Sequence, residues 1–323
     1  MSAQRVVILG TGGTIAGTGD DPGRAWSYRA AQLSVEQLVT AVPALAAVPL
    51  ETMQVAQVDS KDMTWAVWQA LGQTLAAQLS RADVAGVVVT HGTDTLEETA
   101  WLLNALHDGS KPVVLTAAMR PATAPDADGP RNLLDAVHAV QALSARQVGG
   151  VFVVMQSVAW PAQHVRKAHS HALDAFDGGG VLPVGRVDSQ GVWDWSLQDV
   201  PACGGVGWPW LDMVPPRVEI VTSHADADGW VVDALVAHSQ VSAQRPLRGL
   251  VVASTGHGTL HEGMTAALVR AASAGVLVWR SSKVARGGVM PREGDRWTGV
   301  PGLTASQARV AMILHLLGAC VRK

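Results

Sequence analysis

Two short turns in this 323-residue chain carry the residues best suited to chemistry. In Val88-Val89-Thr90-His91-Gly92-Thr93-Asp94-Thr95-Leu96-Glu97-Glu98-Thr99-Ala100, an apolar strand-like run ends at Thr90, a tight polar turn follows, and a helix is predicted from Asp94. Such a turn projects a hydroxyl and a carboxylate from the carboxyl end of a strand, where open α/β sheets place their sites. The second turn follows Val6-Val7-Ile8-Leu9 and reads Gly10-Thr11-Gly12-Gly13-Thr14-Ile15-Ala16-Gly17. Each turn offers a threonine, Thr14 in one and Thr93 in the other, beside backbone N–H groups, which predicts two hydroxyls converging on one small polar substrate. A threonine hydroxyl attacks only when a neighbouring base activates it. The glycines do not spell a phosphate-binding loop. Ile15 breaks the G-x-G-x-x-G spacing, and no lysine follows as in a P-loop. They let a substrate approach the backbone instead. Asp94 also reads as the N-cap of its helix, a role compatible with presenting a carboxylate.

The elements that must position these residues alternate in type. Strands are predicted at Val6–Leu9, Thr52–Val58, Val87–Thr90, Val113–Thr116 and Val151–Met155, and helices at Val35–Val42, Asp62–Leu79, Asp94–Leu106 and Gly129–Leu143. Continuous Val/Leu runs separated by helices predict a mostly parallel sheet covered on both faces. After Met155 the pattern loosens, and residues 186–216, with Trp193, Trp195, Trp208 and Trp210 among Gly and Pro, read as a linker whose tryptophans are packing anchors. A second α/β series follows through Val218–Thr222, Val231–His238, Leu250–Ala253, Leu260–Ala272, Val276–Trp279 and Ala305–Leu317. The expected organisation is a two-domain α/β protein: a larger N-terminal catalytic domain over 1–190, a linker over 191–216, and a smaller C-terminal α/β domain over 217–323.

Composition narrows the classes. A hydrophobic content of 48% with 16% charged residues supports a substantial core and argues against disorder. The net charge of −3 gives no reason to expect nucleic acid as partner. No window reaches the roughly 18 continuous apolar residues of a membrane span. The N-terminus runs into a strand without an apolar h-region, so a cytoplasmic protein is expected, with a mature secreted chain as the alternative. Cys203 and Cys320 lie far apart and read as two free thiols. His164, His169 and His171 lie close together, but no acidic or further histidine partner has matching spacing, so neither metal nor cofactor is expected.

The motifs carry a family resemblance. Gly12-Gly13-Thr14-Ile15-Ala16, followed some eighty residues later by His91-Gly92-Thr93-Asp94-Thr95, resembles the bacterial-type L-asparaginase and glutaminase-asparaginase family. The likeness continues through Asp59-Ser60-Lys61-Asp62-Met63, Ala118-Met119-Arg120-Pro121, Ala127-Asp128-Gly129-Pro130, Lys167 and Arg280-Ser281-Ser282-Lys283-Val284, and so spans nearly the whole chain. It implies hydrolysis of L-asparagine to L-aspartate and ammonia, with Thr14 as nucleophile and Tyr28, the chain's sole tyrosine, as its loop-borne partner. It also implies a proton-handling group of Thr93, Asp94 and Lys167. The residues alone put Thr93 and Asp94 together; only the resemblance brings Lys167 to them. A lysine amine in its neutral form can accept a hydroxyl proton while a carboxylate orients the pair. Ser60 at a predicted strand end is expected to receive the substrate α-carboxylate, Asp94 the α-ammonium, and the Ala118 backbone the side-chain amide. The resemblance further implies a homodimer or homotetramer whose sites are completed across an interface.

Three positions depart from the family's pattern. Lys61 stands where the periplasmic-type enzymes usually carry Gln beside the substrate amine. Two cations roughly 4 Å apart repel by about 4 kcal/mol at an effective dielectric near 20, so an inward Lys61 would oppose a free amine. Asp59 and Asp62 offer its ammonium partners outside the site, and its long stem reaches water. In Gly256-His257-Gly258-Thr259, His257 replaces the family's Asn in a turn that enters a neighbouring subunit's site. Glu293 is the nearest counterpart of the family's intersubunit glutamate. Rival readings are an amidase acting mainly on glutamine or an asparagine derivative, and, in a different class, a non-catalytic amino-acid sensor. Binding alone would not need both hydroxyls and the lysine.

Overall fold

The computed structural model describes residues 4–19, 27–188, 190–198, 200, 202–241 and 244–319. Cys320 lies outside them. The chain forms two compact units, Met1–Leu211 and Asp212–Lys323.

In the first unit the chain runs β1 (Arg5–Gly12), α1 (Val35–Thr40), β2 (Leu50–Val58), α2 (Trp65–Leu79), β3 (Val84–Thr90), α3 (Leu96–Leu106), β4 (Pro112–Thr116), α4 (Gly129–Ala145) and β5 (Gly150–Met155). Shorter strands follow: β6 (Val158–Pro161), β7 (Arg166–Lys167), β8 (Phe176–Asp177), β9 (Gly185–Val187) and β10 (Trp193–Trp195). The main sheet has eight strands in the order β10-β9-β6-β5-β4-β3-β1-β2. Pairing is parallel from β2 through β5 and antiparallel from β5 to β10. The order reverses between β1 and β3, because the chain crosses from β1 to the edge at β2 before returning to β3. Sheets of this kind bind ligands at the carboxyl ends beside that switch point.

The period-2 geometry of a strand explains why these runs are apolar throughout. Val6 and Ile8 of β1 join one core with Val88, Val114 and Phe152 and with Leu133 and Val140 of α4. Val7 and Leu9 face the opposite core, with Val87, Val89 and Leu115 and with Leu71 of α2 and Leu103 of α3. Fully burying a side chain of this size contributes roughly 1.5–3 kcal/mol, so both faces demand hydrophobes.

The tryptophan-rich stretch differs from the linker expected of it. Trp193 and Trp195 form the edge strand β10, stack at a centroid separation of 4.6 Å, and pack on the β1/α4 core. Surrounding glycines and the three-residue length hid the alternation. Leu211 closes the unit, its carbonyl accepting from Trp65 Nε1 at 3.0 Å. Cys203 is half-buried, and burial pushes its thiol up to about 11, as for an unreactive thiol.

The second unit carries β11 (Arg217–Thr222), α5 (Trp230–Val241), β12 (Leu247–Ser254), α6 (Glu262–Ser273), β13 (Leu277–Ser282), β14 (Thr298–Gly299) and α7 (Ala305–Leu317). Its four strands pair in parallel in the order β11-β12-β13-β14. Val232 of α5 and Met264, Leu268 and Ala271 of α6 pack on Leu250, Val252 and Val278. A capping box at Thr304 and Gln307 starts α7, and Gly318 in the left-handed region ends it.

Candidate active site

Three turns converge at the carboxyl ends of β1, β2 and β3. Gly13 has φ 83° and stands so close to Gly92 that a methyl group there would overlap the Gly92 backbone. A methyl group on Gly92 would in turn collide with the Ser60 hydroxyl. Glycine at both positions therefore permits the backbone contact that joins the Thr14 turn to the Thr93 turn. Gly13 N donates to Val58 O at 2.9 Å and Asp94 N to Ser60 Oγ at 3.2 Å, which ties in the end of β2.

A cleft of about 620 Å³ opens over these turns, lined by Thr14, Tyr28, Thr93, Asp94 and Lys167. Met119, Arg120, Ser170 and His171 complete its wall. Two polar clusters face it. Thr14 Oγ1 lies 2.7 Å from the Tyr28 hydroxyl. Lys167 Nζ lies 2.9 Å from Thr93 Oγ1 and 2.6 Å from Asp94 Oδ1. The backbone N–H of Lys167 donates to Glu97 Oε2 at 2.8 Å, so the first turn of α3 anchors the short hairpin strand that carries the lysine. The five sequence-derived catalytic candidates thus share one cleft, although Lys167 is 74 residues from Thr93.

Burial raises the Tyr28 phenol above its ordinary value; the Thr14 hydrogen bond opposes this, and the charges of Asp59 and Asp94 add to it. Tyr28 therefore rests as a neutral phenol that can donate or accept. Lys167 as an ammonium donates to both its neighbours. Once it has lost a proton, its lone pair has the Thr93 hydroxyl within reach.

Asp94 does not cap α3. The helix starts at Leu96, Thr95 occupies the cap position without a side-chain bond to the helix, and its hydroxyl donates to Ser60 O at 2.8 Å. The Asp94 carboxylate is engaged by an ammonium, a stronger partner than a helix N–H. Of the expected substrate-binding residues, Thr93 and Asp94 line the cleft, whereas Ser60, Lys61 and Ala118 do not. Ser60 is buried beneath Asp94, and Ala118 is fully buried at the end of β4. Lys61 points to solvent, with 61% of its side chain exposed and its ammonium 2.5 Å from Asp62 and 3.4 Å from Asp59. Lys61→Gln should therefore change the KM for an amino-acid substrate less than about fivefold, the scale of an exposed ion pair. A tenfold or larger fall in KM at constant kcat would put the ammonium in the pocket instead.

Sequence reasoning missed the supports of the cleft wall. Buried Asp128 accepts the backbone N–H groups of Met119 at 3.0 and 3.1 Å and of Arg120 at 2.9 Å. Arg120 Nη1 donates to His171 O at 2.9 Å and its Nε to Asp126 at 3.3 Å. The motif Ala118-Met119-Arg120-Pro121 and Asp128 were both visible in the sequence, but a carboxylate holding backbone amides leaves no spacing signature. His169 and His171 meet edge to face at 4.5 Å, and His169 Nδ1 accepts from the backbone N–H of His171 at 3.2 Å and of Ala172 at 2.9 Å.

Behind the Thr93 turn lies His91, wholly buried, with its pKa lowered by burial from 6.5 to about 4. A histidine kept neutral by folding adds stability that is complete above pH 6.5. That stability is lost as pH falls from 6.5 toward 4, by about 3 kcal/mol across the window. Urea unfolding of wild type and His91→Asn at pH 7 and pH 4.5 measures this. The wild type should lose at least about 2 kcal/mol more than the variant, and equal losses would show that His91 is not held neutral.

In the second unit, Arg280 Nη1 donates to Gly258 O at 2.8 Å and its Nη2 pairs with Asp295 at 2.5 Å, holding the Gly256–Thr259 turn. The His257 ring lies against the Arg292 guanidinium, and Thr259 Oγ1 meets Thr255 Oγ1 at 2.9 Å. Glu293 is exposed.

Fold and site together define a two-unit α/β enzyme with its reactive groups at the switch point of a mostly parallel sheet. Comparison with known proteins names the family. The pattern of the asparaginase N-terminal domain matches residues 5–199, and that of the glutaminase/asparaginase C-terminal domain matches residues 217–319. The chain belongs to the asparaginase family. It is 35% identical to L-asparaginase 2 of Escherichia coli over 293 residues, covering 89% of this chain and 80% of that protein. It is 32% identical to a glutaminase-asparaginase of Pseudomonas fluorescens biotype A, covering 96% and 86%. The crystal structure of a probable cytoplasmic L-asparaginase from Campylobacter jejuni superposes with a TM-score of 0.88 at 33% identity, covering 97% of this chain and 95% of that one.

Proposed function

We propose that this protein hydrolyses the side-chain amide of L-asparagine to L-aspartate and ammonia through an acyl-enzyme on Thr14. The observation that carries the mechanism is the pair of hydroxyls in one cleft, each with its own proton partner: Thr14 with Tyr28 at 2.7 Å, and Thr93 with Lys167 at 2.9 Å. Thr14 Oγ1 attacks the amide carbon, its proton passes by way of Tyr28 to the leaving nitrogen, and ammonia departs. Backbone N–H groups of the two glycine-rich turns stabilise the oxyanion, each such donor being worth about 3 kcal/mol of barrier. Water then attacks the ester; Lys167 in its neutral form, reached through the Thr93 hydroxyl and oriented by Asp94, takes one water proton, and the Thr14 oxygen leaves with the proton of Tyr28, which recovers one from the new carboxylic acid, so that aspartate departs with Thr14 restored and Lys167 returns its proton to solvent. Asp94, which lines the cleft, also receives the α-ammonium. The assignment of the α-carboxylate to Ser60 and of the amide to the Ala118 backbone rests on the family resemblance alone, since both residues stand buried behind the cleft wall. Polar groups placed in this way reject substrates that lack the matching charge.

An ammonia-release assay with L-Asn, L-Gln and D-Asn tests the reading: L-Asn should give the highest kcat/KM, and a higher value for L-Gln would move the protein to glutaminase action. Support for asparagine comes from the E. coli relative and the C. jejuni structure. The glutaminase alternative draws on the P. fluorescens relative. The description of the C. jejuni protein supports a cytoplasmic location.

The likeness of Gly256–Leu260 to the family's intersubunit turn extends the proposal to a homodimer or homotetramer in which His257, Thr259 or Glu293 completes a neighbouring site. Light scattering on the assayed sample should find no active monomer; a fully active monomer would remove this part of the proposal.

A further inference from the structure

His91 carries none of the proposed chemistry, yet it is the most deeply buried titratable group behind the Thr93 turn. Its backbone N–H continues the sheet, donating to Thr116 O at 2.9 Å. Its ring reaches two partners: Nδ1 lies 2.7 Å from the Gly92 carbonyl oxygen and Nε2 lies 2.9 Å from Thr99 Oγ1 on α3. Thr99 Oγ1 is also 2.9 Å from Trp68 Nε1 on α2.

These contacts fix every proton. A carbonyl only accepts, so Nδ1 must carry the hydrogen that faces Gly92 O. In the neutral ring Nε2 is then a bare acceptor and needs a donor, which Thr99 O–H supplies. An indole N–H only donates, so Trp68 fills a lone pair of the same hydroxyl and leaves its one proton for His91. The chain of donors runs Trp68 to Thr99 to His91 to the Gly92 carbonyl, from the buried side of α2 to the peptide plane that precedes Thr93.

We propose that Trp68, Thr99 and His91 are a buried positioning relay that pins the Gly92–Thr93 peptide plane and thereby aims the Thr93 hydroxyl and N–H at the reacting amide. The peptide is planar and trans, so fixing the Gly92 carbonyl fixes the Thr93 N–H in the opposite direction. Gly92 has no side chain to restrain its own torsions, which gives the ring this task. The burial that lowers the His91 pKa to about 4 keeps the acceptor nitrogen bare at neutral pH. Asp128 does comparable work for the Met119–Arg120 turn, through a carboxylate instead of a relay.

The relay rests on the asparagine-hydrolysing reading for its kinetic arm only. Histidine-selective 15N labelling of the full-length protein, with His91→Asn to identify the signal, should show His91 neutral at pH 7 with the proton on Nδ1. An Nε2-protonated ring overturns the relay whatever the enzyme hydrolyses. Thr99→Val should move the Nε2 resonance to that of an unbonded ring nitrogen and lower kcat for L-asparagine about 10- to 100-fold with KM little changed, as expected for a misaligned reacting group. Thr99→Ser, which keeps the hydroxyl, should restore both. Thr99→Val with kcat within about twofold of wild type, or Thr99→Ser no better than Thr99→Val, overturns the relay. Trp68→Phe, which frees the hydroxyl to rotate, should give a smaller fall in the same direction and serves if Thr99→Val does not fold; unchanged kcat in that variant counts against the relay. A wild type inactive on L-asparagine refutes the proposed function, and the ring tautomer then decides the relay alone.

Discussion

Thr14→Ala and Thr93→Val should each lower kcat for L-asparagine by at least about a thousandfold while the protein remains folded. Each change removes one hydroxyl from a different strand-end turn, and each hydroxyl has its own partner: Tyr28 for Thr14, Lys167 for Thr93. Residues that act as a unit lose nearly everything when either member goes. Valine keeps the shape of Thr93 at a buried position, so the loss reads out chemistry and not a cavity. Thermal melting separates a loss of chemistry from a loss of fold. Either variant keeping more than about a tenth of wild-type kcat has no chemical role at that residue.

How far this site was legible in the sequence depends on the range of the interaction involved. Thr93 and Asp94 are adjacent, and the apolar run Val84–Thr90 announces the strand that ends before them. Thr14 is announced in the same way by β1. The approach of the two turns was not legible from either segment alone, because it depends on Gly13 and Gly92 touching across a crossover of nearly eighty residues. Lys167 reaches Thr93 from a two-residue strand that no periodicity reveals, and only family resemblance assigned it. The Trp193–Trp195 strand was lost for the same reason of length. Asp94 points in the opposite direction: Asp before a helix is a good capping signal, but here Thr95 takes the cap position and the Asp94 carboxylate meets Lys167 Nζ at 2.6 Å. Trp68, Thr99 and Asp128 act through hydrogen bonds whose partners lie on other elements, and composition and spacing carry no trace of such bonds.

Lys167→Met should lower kcat by about 10² to 10⁴, the range that a positioned proton acceptor contributes. The more informative outcome is which half of the reaction stops. If Thr14 attacks with Tyr28 as its partner, acylation does not need Lys167, and the variant should release one equivalent of ammonia per site in a rapid burst before stalling as an aspartyl ester. Mass spectrometry of the quenched burst should find the adduct on the peptide that carries Thr14. Absence of both burst and adduct would place Lys167 in the first half-reaction and make Thr93 a candidate for the attacking hydroxyl. Lys167→Arg sharpens the argument. A guanidinium can still reach for the Asp94 carboxylate, which Nζ meets at 2.6 Å, and keep the charge, but it does not give up a proton in proteins. If Lys167 only fixes Asp94 in place, the arginine variant should keep most of the activity. If Lys167 must accept a proton through the Thr93 hydroxyl, the arginine variant should stall at the same ester as the methionine variant, and retention of more than about a tenth of wild-type kcat by Lys167→Arg would exclude the proton-accepting role.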